Sequence, residues 1–224
     1  MQSNKPSISL PWDQIDTVLL DMDGTLLDLH FDNYFWSEYL PIQYSNKHSI
    51  RLSESKKLLA RFSDEVRGML DWYCLDYWQE KLTLDIVALK SKVDHKIVFR
   101  PNVISFLKYL RKINKQIILA TNAHPKALEL KLLRADFSEY FSALSSSHDF
   151  GYPKEEKKYW EMLTHRYQIN PGRSLFIDDS IPILNAANDF GIGHVLGIAR
   201  PDSQKEEVNC SPYTSIRNFC QLIS

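Results

Sequence analysis

The sequence predicts an α/β fold, in which a doubly wound parallel sheet carries helices on both faces and one helical segment is inserted. Three observations support this: short apolar runs that do not alternate, amphipathic stretches between them, and one long stretch without a strand signal. Continuous apolar runs are typical of strands buried on both faces, as in parallel sheets. Strands that alternate with helices form such Rossmann-like sheets through right-handed crossovers.

Four apolar runs are predicted as strands, and each stops at polar or small residues. They cover residues 17–20, 116–120, 174–177 and, more weakly, 193–196. The first three end at Asp21, Thr121 and Asp178. Ligands of open α/β sheets bind beyond the carboxyl ends of the strands. These three strand ends are therefore predicted to meet at one site.

Apolar residues at helical spacing predict helices between the strands. One apolar stripe follows Pro101, and a second begins at Pro125 and includes Leu128 and Leu132. A third begins at Tyr159 and a fourth at Pro182. Proline is favoured at the first position of a helix because its missing N–H would have no partner there. Strands and helices are thus predicted to alternate without interruption after residue 100.

Residues 28–99 interrupt this alternation. They contain no convincing strand, many aromatic side chains and a helical pattern through Leu59, Phe62, Val66, Met69 and Leu70. We expect an α/β core of residues 1–27 and 100–224, with residues 28–99 as an inserted helical cap. The aromatic residues of this segment are interpreted mainly as its own core.

Composition excludes several classes of protein. The 224 residues carry 27 Lys+Arg and 28 Asp+Glu, which argues against binding to a nucleic acid polymer or an anionic membrane. No run approaches the roughly 18 apolar residues of a membrane span, and Met1–Pro11, without a long apolar run, are not expected to act as a secretory signal. Cys74, Cys210 and Cys220 lack metal-ligand spacing and are interpreted as small buried hydrophobic residues. A cytoplasmic location is expected.

Carboxylates gather at the predicted ligand edge. Asp21 and Asp23 follow the first strand, and Asp178 and Asp179 follow a later one. Four carboxylates would repel each other, and a divalent cation resolves this; oxygen ligands favour Mg²⁺. Asp21 and Asp23 point to the same side of an extended segment, so one suits a nucleophile and the other an acid/base. Gly24 permits a sharp turn directly after the pair.

These residues resemble the motifs of the haloacid dehalogenase-like (HAD) hydrolase superfamily. Residues 21–26 (DMDGTL) are similar to its first motif, Thr121 with Asn122 to its second, Lys154 to its third, and residues 178–179 to its fourth. The inserted helical segment is similar to the cap that follows the first motif in this superfamily. The resemblance covers essentially the whole chain and implies a HAD-like core with a C1-type cap.

The resemblance also implies roles for these residues. Asp21 would attack phosphorus and form an aspartyl-phosphate, while Asp23 would protonate the leaving alcohol and then activate water. Lys154 would neutralise charge, and Thr121 and the Asn122 amide would bind phosphate oxygens. Phosphoryl transfer depends on such positioning and charge stabilisation.

Mg²⁺ is the implied cofactor. The carboxylate of Asp21, the main-chain carbonyl of Asp23 and Asp178 would hold it, with Asp179 bound directly or through water. The acid at position 23 also distinguishes phosphate-ester enzymes from the dehalogenating branch, whose halide leaves without a proton.

The third motif departs from its commonest form. Lys154 follows Pro153 and precedes Glu155, where many relatives have Lys-Pro, so Lys157 and Lys158 are rival candidates. Lys154 is favoured because Pro153 fixes the loop and the later lysines fall on a helix.

Further stretches are similar to purine 5′-nucleotidases of this superfamily, which act on GMP and IMP. These stretches are residues 28–36, 72–78, 121–125 and 150–155. The implied substrate is a small-molecule phosphate monoester, a purine nucleoside monophosphate, with Phe31, Tyr34 and Trp36 as the aromatic residues nearest to Asp23. The alternatives are a sugar-phosphate or phosphoglycolate-type phosphatase, a phosphomutase, or a binding protein without catalysis. His124 is interpreted as a helix-capping or loop residue, or otherwise as a substrate contact.

Overall fold

The computed structural model describes residues 7–223, which form an α/β fold around six parallel strands. The strands are β1 (Thr17–Leu20), β2 (Gln116–Thr121), β3 (Ala143–Ser146), β4 (Ser174–Asp178), β5 (His194–Ile198) and β6 (Ser215–Ile216). Their order in the sheet is β3-β2-β1-β4-β5-β6. The chain therefore builds outwards from β1 first in one direction and then in the other, which confirms the doubly wound prediction.

Helices fill the intervals between the strands. Those before β2 are α1 (His30–Tyr34), α2 (Leu40–His48), α3 (Leu52–Val66), α4 (Leu70–Tyr73), α5 (Leu75–Leu82), α6 (Ile86–Ser91) and α7 (Val103–Lys112), with a π-helical turn over Phe35–Tyr39. Those after β2 are α8 (Pro125–Arg134), α9 (Lys157–Tyr167) and α10 (Ile181–Phe190).

The central strands are buried on both faces, as the continuous apolar runs predict. Every residue of β1 is at most 3% exposed. Leu19 packs with α9 and α10 on one face, whereas Val18 and Leu20 belong to the larger cluster that includes α7, α8 and much of the inserted segment. Three layers result, with the sheet between two helical layers.

The inserted segment leaves and rejoins the sheet region at one place. Leu27 pairs with Phe99 as an antiparallel bridge, and the N–H of Arg100 donates to the carbonyl of Leu26 at 2.9 Å. The buried guanidinium of Arg100 donates to the carbonyls of Arg200 and Arg217, both at 3.1 Å. Burial lowers the pKa of Arg100 to about 10. We refer to residues 28–99 as the helical insertion.

Three sequence expectations need correction. The sequence does not predict β3 and β6, because β3 has only two apolar residues and β6 has only two residues. The helical pattern predicted through Leu70 is broken after Val66, where Gly68 adopts a φ of +78°. Cys210 is buried, but Cys74 is half-buried and Cys220 is exposed, so their interpretation as buried hydrophobic residues is wrong for two of the three.

Within the described residues, no helix combines the length and the apolar character that crossing a membrane requires. Residues 1–6 and 224 lie outside the described part of the chain. The prediction that Met1–Pro11 carry no secretory signal therefore falls mostly on residues outside that part.

Candidate active site

The register of the sheet places three predicted site residues side by side. Leu20 is paired with Leu119 on β2 and with Ile177 on β4, so Asp21 lies level with the last residues of both neighbouring strands. The N–H of Asp21 donates to the carbonyl of Ile177 at 3.1 Å. Thr121 and Asp178 end β2 and β4 and are 1% exposed. The carboxyl edge therefore brings these strand ends together, as the sequence analysis expects.

A tight turn follows β1 and carries Asp23. The carbonyl of Met22 accepts hydrogen bonds from the N–H groups of Leu26 and Leu27 at 2.9 and 2.8 Å. Gly24 adopts a φ of +83°, and a Cβ at this position would lie 2.4 Å from Oδ2 of Asp179. Glycine is thus required here both for the backbone conformation and for the approach of the fourth motif to the first.

Gly24→Ala is expected to lower kcat about 100-fold, because the added methyl group displaces the carboxylate of Asp179, and displacements near 1 Å cost about that much. Gly68→Ala is the matched control: its φ is +78°, yet a Cβ there would meet no atom within 4 Å. Steady-state kinetics and thermal unfolding of both variants separate the contact from the backbone strain. Equal losses of kcat in the two variants would contradict the steric argument.

Lys154 is the lysine of the third motif that reaches the carboxylates. Its Nζ donates to Oδ1 of Asp21 and to Oδ2 of Asp178, both at 2.6 Å, and to the carbonyl of Ala120 at 3.0 Å. The Lys154 side chain is 1% exposed, whereas the rivals Lys157 and Lys158 are 75% and 55% exposed and pair with Glu161 on their own helix. Attraction by the two carboxylates outweighs burial and raises the pKa of Lys154 well above its ordinary value.

The loop that carries Lys154 is held on both sides. The N–H of Lys154 donates to Oδ1 of Asn122 at 2.9 Å, and the carbonyl of Lys154 accepts from the indole of Trp160 at 2.7 Å. The next residue, Glu155, accepts from the side-chain amide of Asn122 at 3.0 Å and from the hydroxyl of Tyr73 at 2.6 Å. The Asn122 side chain therefore positions the lysine loop, and Glu155 links that loop to the helical insertion.

Three carboxylates of the site share this one lysine. One oxygen from each of Asp21, Asp178 and Asp179 lies within 4.8 Å of the others. Burial is the main cause that raises their pKa values, to about 6 for Asp21 and well above the ordinary value for Asp179. Against the single positive charge of Lys154, the ionised cluster carries two excess negative charges. A hard divalent cation such as Mg²⁺ fits this set of oxygen donors in both charge and chemistry.

Asp23 has a separate partner that the sequence analysis does not identify. Nζ of Lys131, on α8, lies 2.6 Å from Oδ1 of Asp23 and 2.7 Å from Oδ2 of Asp32, and the Lys131 side chain is 2% exposed. Lys90, also buried, holds the other oxygen of Asp32 at 2.6 Å. Burial raises the pKa of Asp23 to about 6, although Lys131 opposes this. For Asp32, the two lysines outweigh burial, and its pKa lies far below the ordinary value.

This network connects Asp23 with the helical insertion, because Asp32 lies on α1 and Lys90 on α6. A sequence signal for Lys131 exists. It follows Ala127 by four residues and so shares the face of α8 that is buried, whereas the predicted stripe of Leu128 and Leu132 is only half-buried. A lysine at such a core position requires a buried anion.

All seven predicted site residues line one cavity of about 570 Å³; they are Asp21, Asp23, Thr121, Asn122, Lys154, Asp178 and Asp179. The helical insertion contributes three tryptophans to the same lining: Trp36, Trp72 and Trp78. Of the three aromatic residues nearest to Asp23 in sequence, Trp36 lines the cavity. Phe31 is instead buried beneath Lys90 and Lys131, and Tyr34 stacks on Tyr39.

His124 has the capping position that the sequence analysis favours. It precedes α8, and its Nδ1 accepts from the N–H of Lys126 at 3.3 Å. Its side chain also lines the cavity.

Comparison with known proteins places the chain among hydrolases. The model of the haloacid dehalogenase-like hydrolase family matches residues 15–191. The chain is 42% identical over 216 residues to the GMP/IMP nucleotidase YrfG of Escherichia coli K12, a match that covers 96% of this chain and 97% of that protein. A GMP/IMP nucleotidase of Shigella flexneri matches to the same extent.

Solved structures share the fold. A HAD phosphatase from Thermococcus onnurineus superimposes with a TM-score of 0.76 at 24% identity, covering 92% of this chain and 95% of that one. An L-2-haloacid dehalogenase from Xanthobacter autotrophicus gives a TM-score of 0.63 at 14% identity, with the same coverage of both chains. At these identities the likeness concerns the fold alone.

Proposed function

The chain belongs to the haloacid dehalogenase-like hydrolase family and is a phosphoric monoester hydrolase; from that premise, we propose that it removes the phosphate of purine nucleoside 5′-monophosphates such as GMP and IMP, with Mg²⁺ as cofactor. The observation that carries this proposal is the single cavity in which the carboxylate cluster and three tryptophans meet. Its volume of about 570 Å³ falls within the range of small-ligand sites. The 42% identical nucleotidase from E. coli supports the same substrate class.

The tryptophans suit a nucleobase. Stacking of a base on an aromatic side chain contributes about 1–3 kcal/mol. The half-buried rings of Trp36 and Trp72 are available for it, whereas Trp78 is 3% exposed and packs against Trp36. Arg67 and Lys56 also line the cavity. Their N–H groups favour a base with a carbonyl at C6, as guanine and hypoxanthine have, over the amino group of adenine.

The residues at the strand ends would divide the chemistry among them. In the proposed reaction, a carboxylate oxygen of Asp21 attacks phosphorus, and Asp23 gives its proton to the departing 5′-oxygen. Asp23 then takes a proton from the water that hydrolyses the aspartyl-phosphate. A pKa of about 6 leaves part of the Asp23 population protonated near neutral pH, as a general acid requires.

Charge on the phosphoryl group has protein partners as well. Lys154 stays cationic between Asp21 and Asp178 and is placed to stabilise charge that develops on the oxygens. Thr121 and the main-chain N–H of Asn122 would bind phosphate oxygens, since the Asn122 side chain already holds the lysine loop. The side chains of Asp21, Asp178 and Asp179 and the carbonyl of Asp23 would hold Mg²⁺, which when bound supplies positive charge to the phosphoryl group.

The test is a comparison of kcat/KM across GMP, IMP, AMP, UMP, CMP and glucose 6-phosphate at saturating Mg²⁺. If a stacked base is recognised, GMP and IMP should exceed glucose 6-phosphate, which has no base, by about 5- to 150-fold. They should exceed UMP and CMP by a smaller factor, because pyrimidines also stack. Trp36→Leu should reduce the preference for GMP, whereas kcat/KM for glucose 6-phosphate should stay within about twofold, since that substrate has no base to stack. Equal or higher values for sugar phosphates would overturn the nucleotidase proposal in favour of the sugar-phosphate alternative.

Asp178→Asn is expected to raise the Mg²⁺ concentration for half-maximal activity by about 10- to 100-fold or more. Replacing a residue that only hydrogen-bonds to a metal ligand already lowers metal affinity by about this range. The physical reason is the loss of one of the two excess negative charges of the cluster. Asp189→Asn, the same change at an exposed position of α10, serves as the control. Identical Mg²⁺ titrations of the two variants would contradict a ligand role for Asp178.

A further inference from the structure

A second group of metal-binding side chains lies outside the carboxylate cluster. It consists of Cys74, between α4 and α5 of the helical insertion, His124, at the start of α8, and His148, just after β3. One ligand atom from each lies within 4.8 Å of the others. The two imidazole rings stand nearly perpendicular, at 77°, with their centroids 4.8 Å apart. We refer to these three residues as the Cys–His cluster.

His148 has a ligand atom without a partner. Its Nε2 is buried, and within residues 7–223 it has no hydrogen-bond partner. Such orphaned buried nitrogens are rare because burial without a hydrogen bond is unfavourable. A neutral imidazole nitrogen of this kind is a common metal ligand, so a bound ion would give Nε2 of His148 the partner that it lacks.

The surroundings of His124 complete the cluster. Oδ2 of Asp76 lies 3.7 Å from its Nε2, while Oδ1 of Asp76 is held by Lys126 at 2.6 Å. A carboxylate beside a metal-ligating histidine commonly orients the ring. The N–H of Lys126 donates to Nδ1 of His124 at 3.3 Å, which is a long hydrogen bond. An ion on Nδ1 would take the place of this bond, and an ion on Nε2 would leave the ring proton on Nδ1, so that Nδ1 could no longer accept.

The donor set differs in kind from the carboxylate cluster. A thiolate with two imidazoles selects a borderline or soft divalent cation such as Zn²⁺ and not Mg²⁺. The sulfur of Cys74 stands at the N-terminus of α5, where it accepts from the N–H of Tyr77 at 3.5 Å. Metal binding removes the thiol proton outright, so the cluster would supply one negative ligand and two neutral ones.

The position of the Cys–His cluster gives it a consequence for turnover. Cys74 belongs to the helical insertion, whereas His124 and His148 follow strands of the sheet. His124 lines the active-site cavity, and Tyr73, next to Cys74, donates to Glu155 beside Lys154. The cavity is lined by both the helical insertion and the strand ends, so substrate and product pass between these two parts. We propose that Cys74, His124 and His148 form a binding site for Zn²⁺, which fastens the helical insertion to the sheet region and inhibits the enzyme by slowing this passage. The inhibition rests on the proposed function, whereas binding does not.

Binding is tested with Co²⁺ as a spectroscopic probe on the chelator-treated full-length chain. The expected result is a thiolate-to-Co²⁺ charge-transfer band that saturates at one ion per chain and is abolished by Zn²⁺. Cys74→Ser should remove the band, and His148→Ala should weaken binding by more than about tenfold. Cys220→Ser, at an exposed cysteine, and Asp178→Asn, in the carboxylate cluster, should both retain it. A missing band in the wild type, or a band that persists in Cys74→Ser, would overturn the site.

Inhibition is tested by titrating Zn²⁺ into GMP turnover at saturating Mg²⁺. Wild type should lose activity over the range in which Co²⁺ binding is displaced. Cys74→Ser should keep its basal kcat and need more than about tenfold more Zn²⁺ for the same loss. Equal inhibition of both proteins would place Zn²⁺ at the carboxylate cluster and overturn the fastening role. A charge-transfer band in a protein that hydrolyses no purine monophosphate would overturn the proposed function and still support the zinc site.

Discussion

Asp21→Asn is expected to abolish turnover while the fold remains intact. Asparagine has the same shape, and its side-chain oxygen still accepts from Lys154, which also keeps its bonds to Asp178 and Ala120. What is lost is the carboxylate that we propose as the nucleophile, and the loss of one member of a nucleophilic unit costs on the order of 10⁴- to 10⁶-fold in kcat. Mass spectrometry of acid-quenched enzyme should detect a phosphorylated chain in wild type and none in the variant.

The matched control for this substitution is Asp16→Asn. Asp16 precedes the other end of β1, and its exposed carboxylate accepts from Arg173 at 2.8 Å. Solvent screens surface pairs of this kind, and Asp16 does not line the cavity, so kcat should change little. If Asp21→Asn kept a substantial fraction of wild-type activity and a phosphorylated chain, another residue would have to be the nucleophile.

Lys131→Met is expected to lower kcat about 100-fold and to destabilise the chain. The variant leaves Asp23 without its partner at 2.6 Å, and misplacement of a catalytic group by about 1 Å has an effect of that size. Breaking a buried ion pair by removing one partner typically costs about 3–5 kcal/mol of unfolding free energy. Because Lys131 lowers the pKa of Asp23, its removal should raise that pKa above about 6. The alkaline limb of the pH–rate profile, where the general acid loses its proton, should therefore move to higher pH.

A second substitution separates activity from stability. Lys131→Met with Asp32→Asn removes one positive and one negative charge together, so much of the lost unfolding free energy should return while kcat stays low. Lys126→Met, on the same helix but half-exposed, is the control and should change neither quantity greatly. A double variant with both stability and kcat restored would show that Lys131 acts on the fold and not on Asp23.

Much of the fold follows from local patterns in the sequence. The runs that become β1, β2 and β4 are apolar on both faces and end at chemically distinctive residues. The sequence therefore indicates both that they are strands and which of their ends carries the site. β3 and β6 carry no such pattern. Ala143–Ser146 is half polar, and it is a strand because β2 offers it an edge in register at Ile118–Thr121. Pairing of this kind is a tertiary effect that a single segment does not encode.

The candidate site divides in the same way. Asp21, Asp23, Thr121 and Asp178 could be predicted because each follows directly from a strand end, and parallel strands bring their ends together. The partners of these residues could not. Lys131 is distant from Asp23 in sequence, and it meets Asp32 only because α8 and the insertion pack together.

The Cys–His cluster illustrates the same limit for metal ligands. Its members are contributed by three separate segments, so no ligand spacing exists in the sequence for a motif to describe. Sequence spacing reveals ligands that share one turn or one helix, whereas ligands assembled by tertiary packing become visible only in the folded chain.

The pairing of Leu26 and Leu27 with Phe99 and Arg100 bears on how such an enzyme diversifies. The helical insertion begins and ends at one point of the fold, where the N–H of Asp28 donates to the carbonyl of Val98 at 3.0 Å. An inserted segment of another length has only to start and end at this same point, and the entropic cost of bringing its two ends together grows slowly with its length. Evolution can therefore exchange the helices that line one side of the cavity while descendants inherit the strand ends on the other side unchanged.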